Sequence, residues 1–488
     1  MDFVLSAFEI KPKGMSRLFD SGVYHERRQE LMNHLPDAFI ILPANDFTPK
    51  NYTDNTFHFR QDSTFLYYGG HDLPGMVVVI DSATGQTSLY SREITLDDVV
   101  WTGPQPTLTE LGNVIGVEKT HPLTDLQQTI DQAKKEGRKI HYLPPYQGST
   151  KIKLTQWLGF SLDEVDAHYS RELVGAVVKQ RSIKKDIELN EIEEALAITK
   201  DMHLEVIYES RKDVSEADLL GRIINIVCRA GVDTAYPPIL TKNGHVLHNH
   251  ERHHILPKGG MVLGDFGAES TRYYASDITR TVPVDPLFST KQKEIYSIVL
   301  QALEASAAAL KPGISFLEVH LIAAHTMARG LKDLGLMKGD IEEAVKEGAH
   351  ALFFVHGLGH MMGLDVHDME GLGEEAVGYG SQFKRSKQFG LKALRLARNL
   401  EPGFVLTIEP GIYFIPALID QWEAEKKFES FINYGQLKAY RDFTGVRIED
   451  NYVLTSEGAR LLGPPIPKEI HEIEFLKQSQ LDLKDRIA

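Results

Sequence analysis

The sequence predicts two domains: an α/β domain over residues 1–172 and an α+β domain over residues 173–488. Three observations lead there. At 488 residues the chain is too long for one ordinary core. Up to about residue 172, strand-like and helical stretches alternate. From about Ile187 helical periodicity dominates, and four strand-like pieces that follow each carry a carboxylate.

Residues 22–35 read as a helix and Phe39–Pro43 as a buried strand. The run Phe57–Gly70 is rich in aromatic and β-forming residues, and Met76–Ile80 and Thr87–Tyr90 flank a turn as a strand pair. Helix near 122–136 and strand near 139–143 continue the alternation. In the second domain Leu189, Ile192, Leu196, Thr199, His203 and Val206 fall at helical spacing. Further helices are expected from Ser215 to Gly231, Lys291 to Leu310 and Ser315 to Leu334.

Ser215 with Asp218, and Ser315 with Glu318, resemble capping boxes, in which hydroxyl and carboxylate satisfy orphan N–H groups. They lie 100 positions apart, and Leu219/Val319, Val227/Met327 and Arg229/Arg329 continue the match. Either the domain is an internal duplication or two amphipathic helices look alike by chance. Segments 371–398, read as a long loop and a helix, and 415–442 look like insertions, and the tail from Lys468 is polar and helical.

Hydrophobic content of 42% and charged content of 25% are ordinary globular values. A net charge of −15 disfavours nucleic-acid binding, which needs a basic surface. Cys228 is the single cysteine, which excludes an intramolecular disulfide and Cys-based metal clusters; within an apolar helical pattern it reads as a buried thiol. There is no basic and apolar leader and no run of about 18 apolar residues, so a cytoplasmic location without a membrane span is expected.

The chemistry centres on Val355–Asp368, where three histidines and two aspartates are punctuated by three glycines. His356 and His360, four apart, would share a helical turn, but Gly357 and Gly359 oppose a helix and favour a loop or strand. Such a turn is also compatible with a hydrogen-bonded core corner. The acids Asp265, Asp277, Glu409 and Glu449 bear on the choice, since each sits in an otherwise apolar strand. Any one of them could be a salt-bridge partner of Arg280 or Arg447. Together they would repel unless protons or divalent cations intervene. Two cations sharing carboxylates, with one neutral histidine, would suit Mn²⁺ or a related first-row ion and would activate water for hydrolysis.

Asp265-Phe-Gly, Ser276-Asp-Ile-Thr-Arg-Thr281, His356-Gly-Leu-Gly-His360, Thr407-Ile-Glu-Pro-Gly-Ile-Tyr413 and Arg447-Ile-Glu-Asp450 resemble the signature segments of proline-specific metallopeptidases. These are the aminopeptidase P and prolidase branch of the pita-bread peptidases. Phe57–Tyr68 resembles the aminopeptidase P N-terminal domain. The resemblance implies a pita-bread catalytic domain with Asp265, Asp277, His360, Glu409 and Glu449 as ligands of two divalent ions, Mn²⁺ first, with Co²⁺ or Zn²⁺ as alternatives. It implies that Glu409 also shuttles a proton, that His248, His356 and His367 contact substrate, and that Arg447 and Tyr413 stand beside the site. Arg395 resembles the arginine with which prolidases hold a dipeptide carboxylate. The implied substrates are peptides or dipeptides with proline second, so Xaa-Pro aminopeptidase and Xaa-Pro dipeptidase are both open, and a homodimer or larger homo-oligomer is expected. A metal-free binding module on the same fold is the remote alternative. His245 and His250 receive no role, and Asp365 and Asp368 are expected to orient neighbouring histidines.

Overall fold

The structure, a computed structural model, describes residues 17–487. It divides into two compact units that meet between Arg181 and Ser182.

In the first unit the strands are β1 (Phe39–Pro43), β2 (Val77–Asp81), β3 (Gln86–Ser91), β4 (Lys119–Pro122) and β5 (Ile140–His141). They form one mixed sheet in the order β4-β3-β2-β1-β5, with antiparallel β1/β2 and β2/β3 pairs and parallel outer pairs. The helices are α1 (Ser21–His34), α2 (Ser63–Gly69), α3 (Leu96–Thr102), α4 (Leu108–Val114), α5 (Leu126–Lys135), α6 (Gly148–Leu158), α7 (Leu162–Ala167) and α8 (Arg171–Ser182). Phe39, Ile41, Val77 and Val79 on one sheet face pack with Leu126, Ile130, Leu154, Leu158 and Val165 from the helices. Ile40, Leu42, Val78 and Ile80, on the opposite face, are buried as well. The uninterrupted apolar run of β1 is what a strand covered on both faces requires. Within Phe57–Gly70, Ser63–Gly69 is a buried helix despite its β-forming residues. The Asp62 carboxylate caps its first turn by accepting from the Phe65 N–H at 2.7 Å, and all seven helical residues are buried.

The second unit opens with α9 (Asp186–Glu209) and α10 (Glu216–Ala230), followed by the antiparallel sheet β6 (Ile239–Thr241), β7 (Met261–Phe266) and β8 (Ile278–Pro283). Then α11 (Thr290–Ala309), α12 (Phe316–Asp333) and α13 (Ile341–Glu347) precede β9 (Val405–Ile408), β10 (Gly411–Tyr413), β11 (Gly445–Arg447), β12 (Asp450–Leu454) and β13 (Ala459–Leu461). The strands β13-β12-β9 form a second three-stranded sheet and β10-β11 a pair. The first half is thus a helix pair followed by a three-stranded antiparallel sheet, and the second is the pair α11 and α12 followed, after α13, by another such sheet. Ser215 and Ser315 cap α10 and α12 with the reciprocal bonds to Asp218 and Glu318 that their spacing suggests. Cys228 is exposed rather than buried, because α10 turns Leu219, Leu220, Ile223 and Val227 inward and position 228 lies past that stripe.

Segment 371–398 holds single 3-10 and π turns (Glu375–Tyr379, Leu391–Ala393) where a helix was expected; its several glycines disfavour a longer helix. Segment 415–442 carries α14 (Pro416–Ala424) and α15 (Tyr434–Leu437), and the tail forms α16 (Ile470–Ile487). Among the described residues no helix is long and apolar enough to cross a membrane.

The stretch Val355–Asp368 runs as irregular chain along β9. Met361 bridges Leu406, the Thr407 N–H donates to the His360 carbonyl at 3.0 Å, and the Glu409 N–H to Leu358 at 2.8 Å. Gly359 is required there, since a Cβ would lie 2.1 Å from the Thr407 carbonyl oxygen. The far end is anchored by an ion pair, Lys184 Nζ to Asp368 Oδ2 at 2.7 Å, with both side chains 1% exposed. Lys184→Met should therefore destabilise the protein by about 3–5 kcal/mol, because it leaves a carboxylate in the interior without this cation. Thermal denaturation would show the drop, and Lys184→Met with Asp368→Leu should recover most of it.

Candidate active site

Four carboxylates and five imidazoles meet in a cavity of about 250 Å³ in the second unit. Asp265 is the penultimate residue of β7. Asp277 lies one residue before β8, Glu409 one after β9, and Glu449 in the break between β11 and β12. Strand ends bring these side chains together because the sheets abut: the Glu449 N–H donates to the Thr279 carbonyl at 3.0 Å, and the Thr281 hydroxyl to the Arg447 carbonyl at 3.0 Å. Gly267 lets the β7–β8 hairpin close, since a Cβ there would meet the Ser276 carbonyl at 1.8 Å. The Asn451 side chain clamps both backbone groups of Asp277, accepting from its N–H at 3.1 Å and donating to its carbonyl at 2.6 Å.

Each functional side chain has a defined hold. Asp265 accepts from the Tyr236 hydroxyl at 2.7 Å and from Arg447 Nη2 at 2.5 Å. The same Tyr236 hydroxyl also meets Asp277 Oδ1. Glu449 Oε2 accepts from the Thr279 hydroxyl at 2.7 Å. His360 Nδ1–H donates to the Met361 carbonyl at 3.1 Å, which leaves Nε2 facing Asp277 Oδ2 at 3.3 Å and Glu409 Oε1 at 3.6 Å. His356 Nδ1–H donates to the Gly357 carbonyl at 2.7 Å, and its Nε2 accepts from the Tyr413 hydroxyl at 2.8 Å. That hydroxyl in turn accepts from Arg447 Nη1 at 2.8 Å.

Burial dominates the electrostatics. It raises the Asp277 carboxyl to about 7, with the Asp265 charge adding to the effect. Burial likewise raises Glu409 to about 7 and pushes Glu449 well above the usual carboxylate range. The same desolvation lowers His356 to about 3 and depresses His360, His367 and His248. Those four imidazoles are therefore neutral near pH 7, while the acids crowd one another and need protons or cations among them.

These residues fit divalent cations. Glu449 is 1% exposed, and its Oε1 is buried without a hydrogen-bond partner among the described residues. One ligand-type atom each from Asp277, His360 and Glu449 lies within 4.8 Å of the others. Four carboxylates and one neutral imidazole are an oxygen-rich donor set suited to first-row divalent ions.

Ten of the side chains singled out in the sequence line this cavity: His248, Asp265, Asp277, His356, His360, His367, Arg395, Glu409, Arg447 and Glu449. Tyr413, expected to stand beside the site, is fully buried behind the lining and reaches it through Arg447 and His356. His356 and His360 do not share a helical turn. Sequence reasoning missed three participants. Tyr236 joins two acids, and Glu370 meets His367 Nδ1 at 2.5 Å and Arg395 Nε at 3.4 Å. His250, given no role, is part of the lining, whereas His245 is half-buried outside it.

Residues 190–456 match metallopeptidase family M24, and residues 24–141 match the aminopeptidase P N-terminal domain. The chain belongs to metallopeptidase family M24. Its second unit has the pita-bread fold, and its first unit is of the aminopeptidase P type. It is 30% identical to the Xaa-Pro dipeptidase of Homo sapiens over 90% of this chain and 88% of the relative. It is 31% identical to a probable Xaa-Pro aminopeptidase of Aspergillus fumigatus, over 93% of this chain and 95% of that one. The structure of zinc-substituted E. coli aminopeptidase P in complex with product superposes with a TM-score of 0.78 at 28% identity, covering 95% of this chain and 99% of the other.

Thr279 donates to Glu449 and accepts from Arg447 Nε at 3.1 Å, so it orients two groups of the site at once. Thr279→Val keeps its shape and removes both bonds. Isothermal titration with a divalent ion should show affinity reduced about 10–100-fold, with the folded-state circular dichroism unchanged.

Proposed function

We propose that this M24 metallopeptidase is an Xaa-Pro aminopeptidase, hydrolysing the bond between an N-terminal residue and proline. The carrying observation is the convergence of Asp265, Asp277, His360, Glu409 and Glu449 on one cavity, with a buried Glu449 oxygen that has no hydrogen-bond partner among the described residues. The names of the relatives supply the substrate class. Divalent ions held by these five side chains would activate the attacking water and offset charge developing on the substrate carbonyl oxygen. Manganese is the ion we assign, on the oxygen-rich donor set.

The side chains of the protein then divide the remaining work. The Glu409 side chain is 19% exposed, and its Oε2 lies 3.8 Å from His356 Nδ1. Placed between ligands and open cavity, Glu409 takes the proton of the attacking water. It delivers that proton to the proline nitrogen as the C–N bond breaks, giving a free carboxylate and a free imino acid terminus. The leaving nitrogen has no N–H of its own, so the site must recognise the ring instead. Pro237, Ile239, Leu247 and Val366 supply apolar wall for it, and His248, His356 and His367 supply neutral polar edges. Arg447 and Tyr413 hold His356 and Asp265 in place by the bonds described above.

A second reading, Xaa-Pro dipeptidase, is favoured by Arg395. Its guanidinium lines the cavity, steadied by Glu370, where a dipeptide carboxylate could be held. The single cysteine fits a reducing, cytoplasmic compartment, and a homodimer or larger homo-oligomer is the assembly we assign.

A length series on Mn²⁺-loaded protein separates the readings. We expect Xaa-Pro-Yaa-Zaa to be cleaved with higher kcat/KM than Xaa-Pro. Arg395→Ala should cost the dipeptide about 10–100-fold, the worth of a hydrogen bond to a charged group, and the longer peptide much less. A faster dipeptide would establish the dipeptidase instead, and failure to cleave either would overturn proline specificity. If Arg395→Ala changed neither substrate, the role given to Arg395 would fall.

A further inference from the structure

The segment His248-Asn-His-Glu-Arg-His-His254 departs from the catalytic cavity at His250 and continues outward. His248 and His250 are exposed lining residues, so this segment forms part of the rim. Just beyond it, Glu251, His253 and His254 each place one ligand-type atom within 4.8 Å of the others. None of the three lines the cavity or belongs to the constellation described above.

One of these ligands is built rather than merely exposed. Glu216, at the first turn of α10, is fully buried, and its Oε2 accepts from His254 Nδ1–H at 2.9 Å. Its Oε1 accepts from the Lys242 N–H at 2.9 Å, and its own N–H donates to the His254 carbonyl at 3.0 Å. The carboxylate thus fixes the ring and its tautomer, leaving Nε2 as the acceptor nitrogen, which Asn243 Nδ2 approaches at 3.5 Å. A carboxylate behind one ring nitrogen is the arrangement that raises the basicity of a metal-binding histidine. His253 lies at a tilt beside His254 with ring centroids 4.2 Å apart, and its Nε2 lies 3.8 Å from Glu251 Oε2. Asn249, buried, ties the base of the segment to Thr241 by a 3.0 Å hydrogen bond and accepts from the Glu251 N–H at 2.9 Å.

We propose that Glu251, His253 and His254 form a peripheral zinc site at the rim of the catalytic cavity, distinct from the catalytic metals. Two imidazoles and one carboxylate are borderline donors that suit Zn²⁺, with solvent completing the tetrahedron. Occupancy ties the backbone on both sides of Arg252 to α10 and thereby stiffens the chain at His250, so the site couples zinc to substrate entry.

The test compares full-length protein with a Glu251→Gln/His253→Ala variant, both changes lying on the exposed rim. Each is first loaded with its catalytic metal, then equilibrated with excess Zn²⁺ and desalted. Atomic emission should find one more equivalent of zinc in the parent than in the variant, however many ions the cavity itself takes. Added zinc should also change the KM for a proline peptide several-fold in the parent and not in the variant. Equal zinc uptake would overturn the site. Extra uptake with no difference in KM response would overturn its coupling to entry. Loss of catalytic activity in both proteins would bear on the peptidase reading and leave the zinc difference readable.

Discussion

The structure depends on one electrostatic constraint: four carboxylates held close together away from water. Burial, with the neighbouring carboxylate charges adding to it, drives Asp277 and Glu409 up to about 7 and Glu449 beyond the ordinary carboxylate range. Nothing about such a cluster favours folding. The scaffold around it must carry the cost, and a divalent cation is the counter-charge that makes the arrangement chemically useful.

That scaffold is visible in where the strands stop. Asp277, Glu409 and Glu449 each sit just outside a strand, at points where backbone pairing changes partner. The side chains that hold them come from elsewhere in the chain. Asn451 clamps Asp277, Thr279 holds Glu449, and Arg447 spans from Asp265 to Tyr413. The histidine stretch is pinned alongside β9 at one end and by Lys184 at the other. Preorganisation of this kind lets Glu409, the proposed proton carrier, stand next to His356 without further rearrangement.

Much of this was legible in the sequence, for physical reasons. Each acid interrupts an apolar β pattern, and an acid in that setting needs a partner. The helix starts at Ser215 and Ser315 were legible because a capping box is local chemistry. What escaped depends on contacts between distant positions. Tyr236 reaches its carboxylates 29 and 41 residues away, which no local pattern encodes. Ser63–Gly69 is helical although its residues favour strands, because an Asp62 cap and full burial override propensity. Cys228 lies beside an apolar stripe and yet faces outward, a distinction of one helical position. Glu370 opens a short 3-10 turn and His250 sits on irregular chain, where neither the helical nor the strand period applies.

The account rests on the carboxylate cluster being a cation site, and metal content tests that most directly. Protein stripped with chelator, reconstituted with Mn²⁺ at neutral pH and desalted should retain two ions per chain by atomic emission. A folded protein that retained no stoichiometric divalent ion would contradict it.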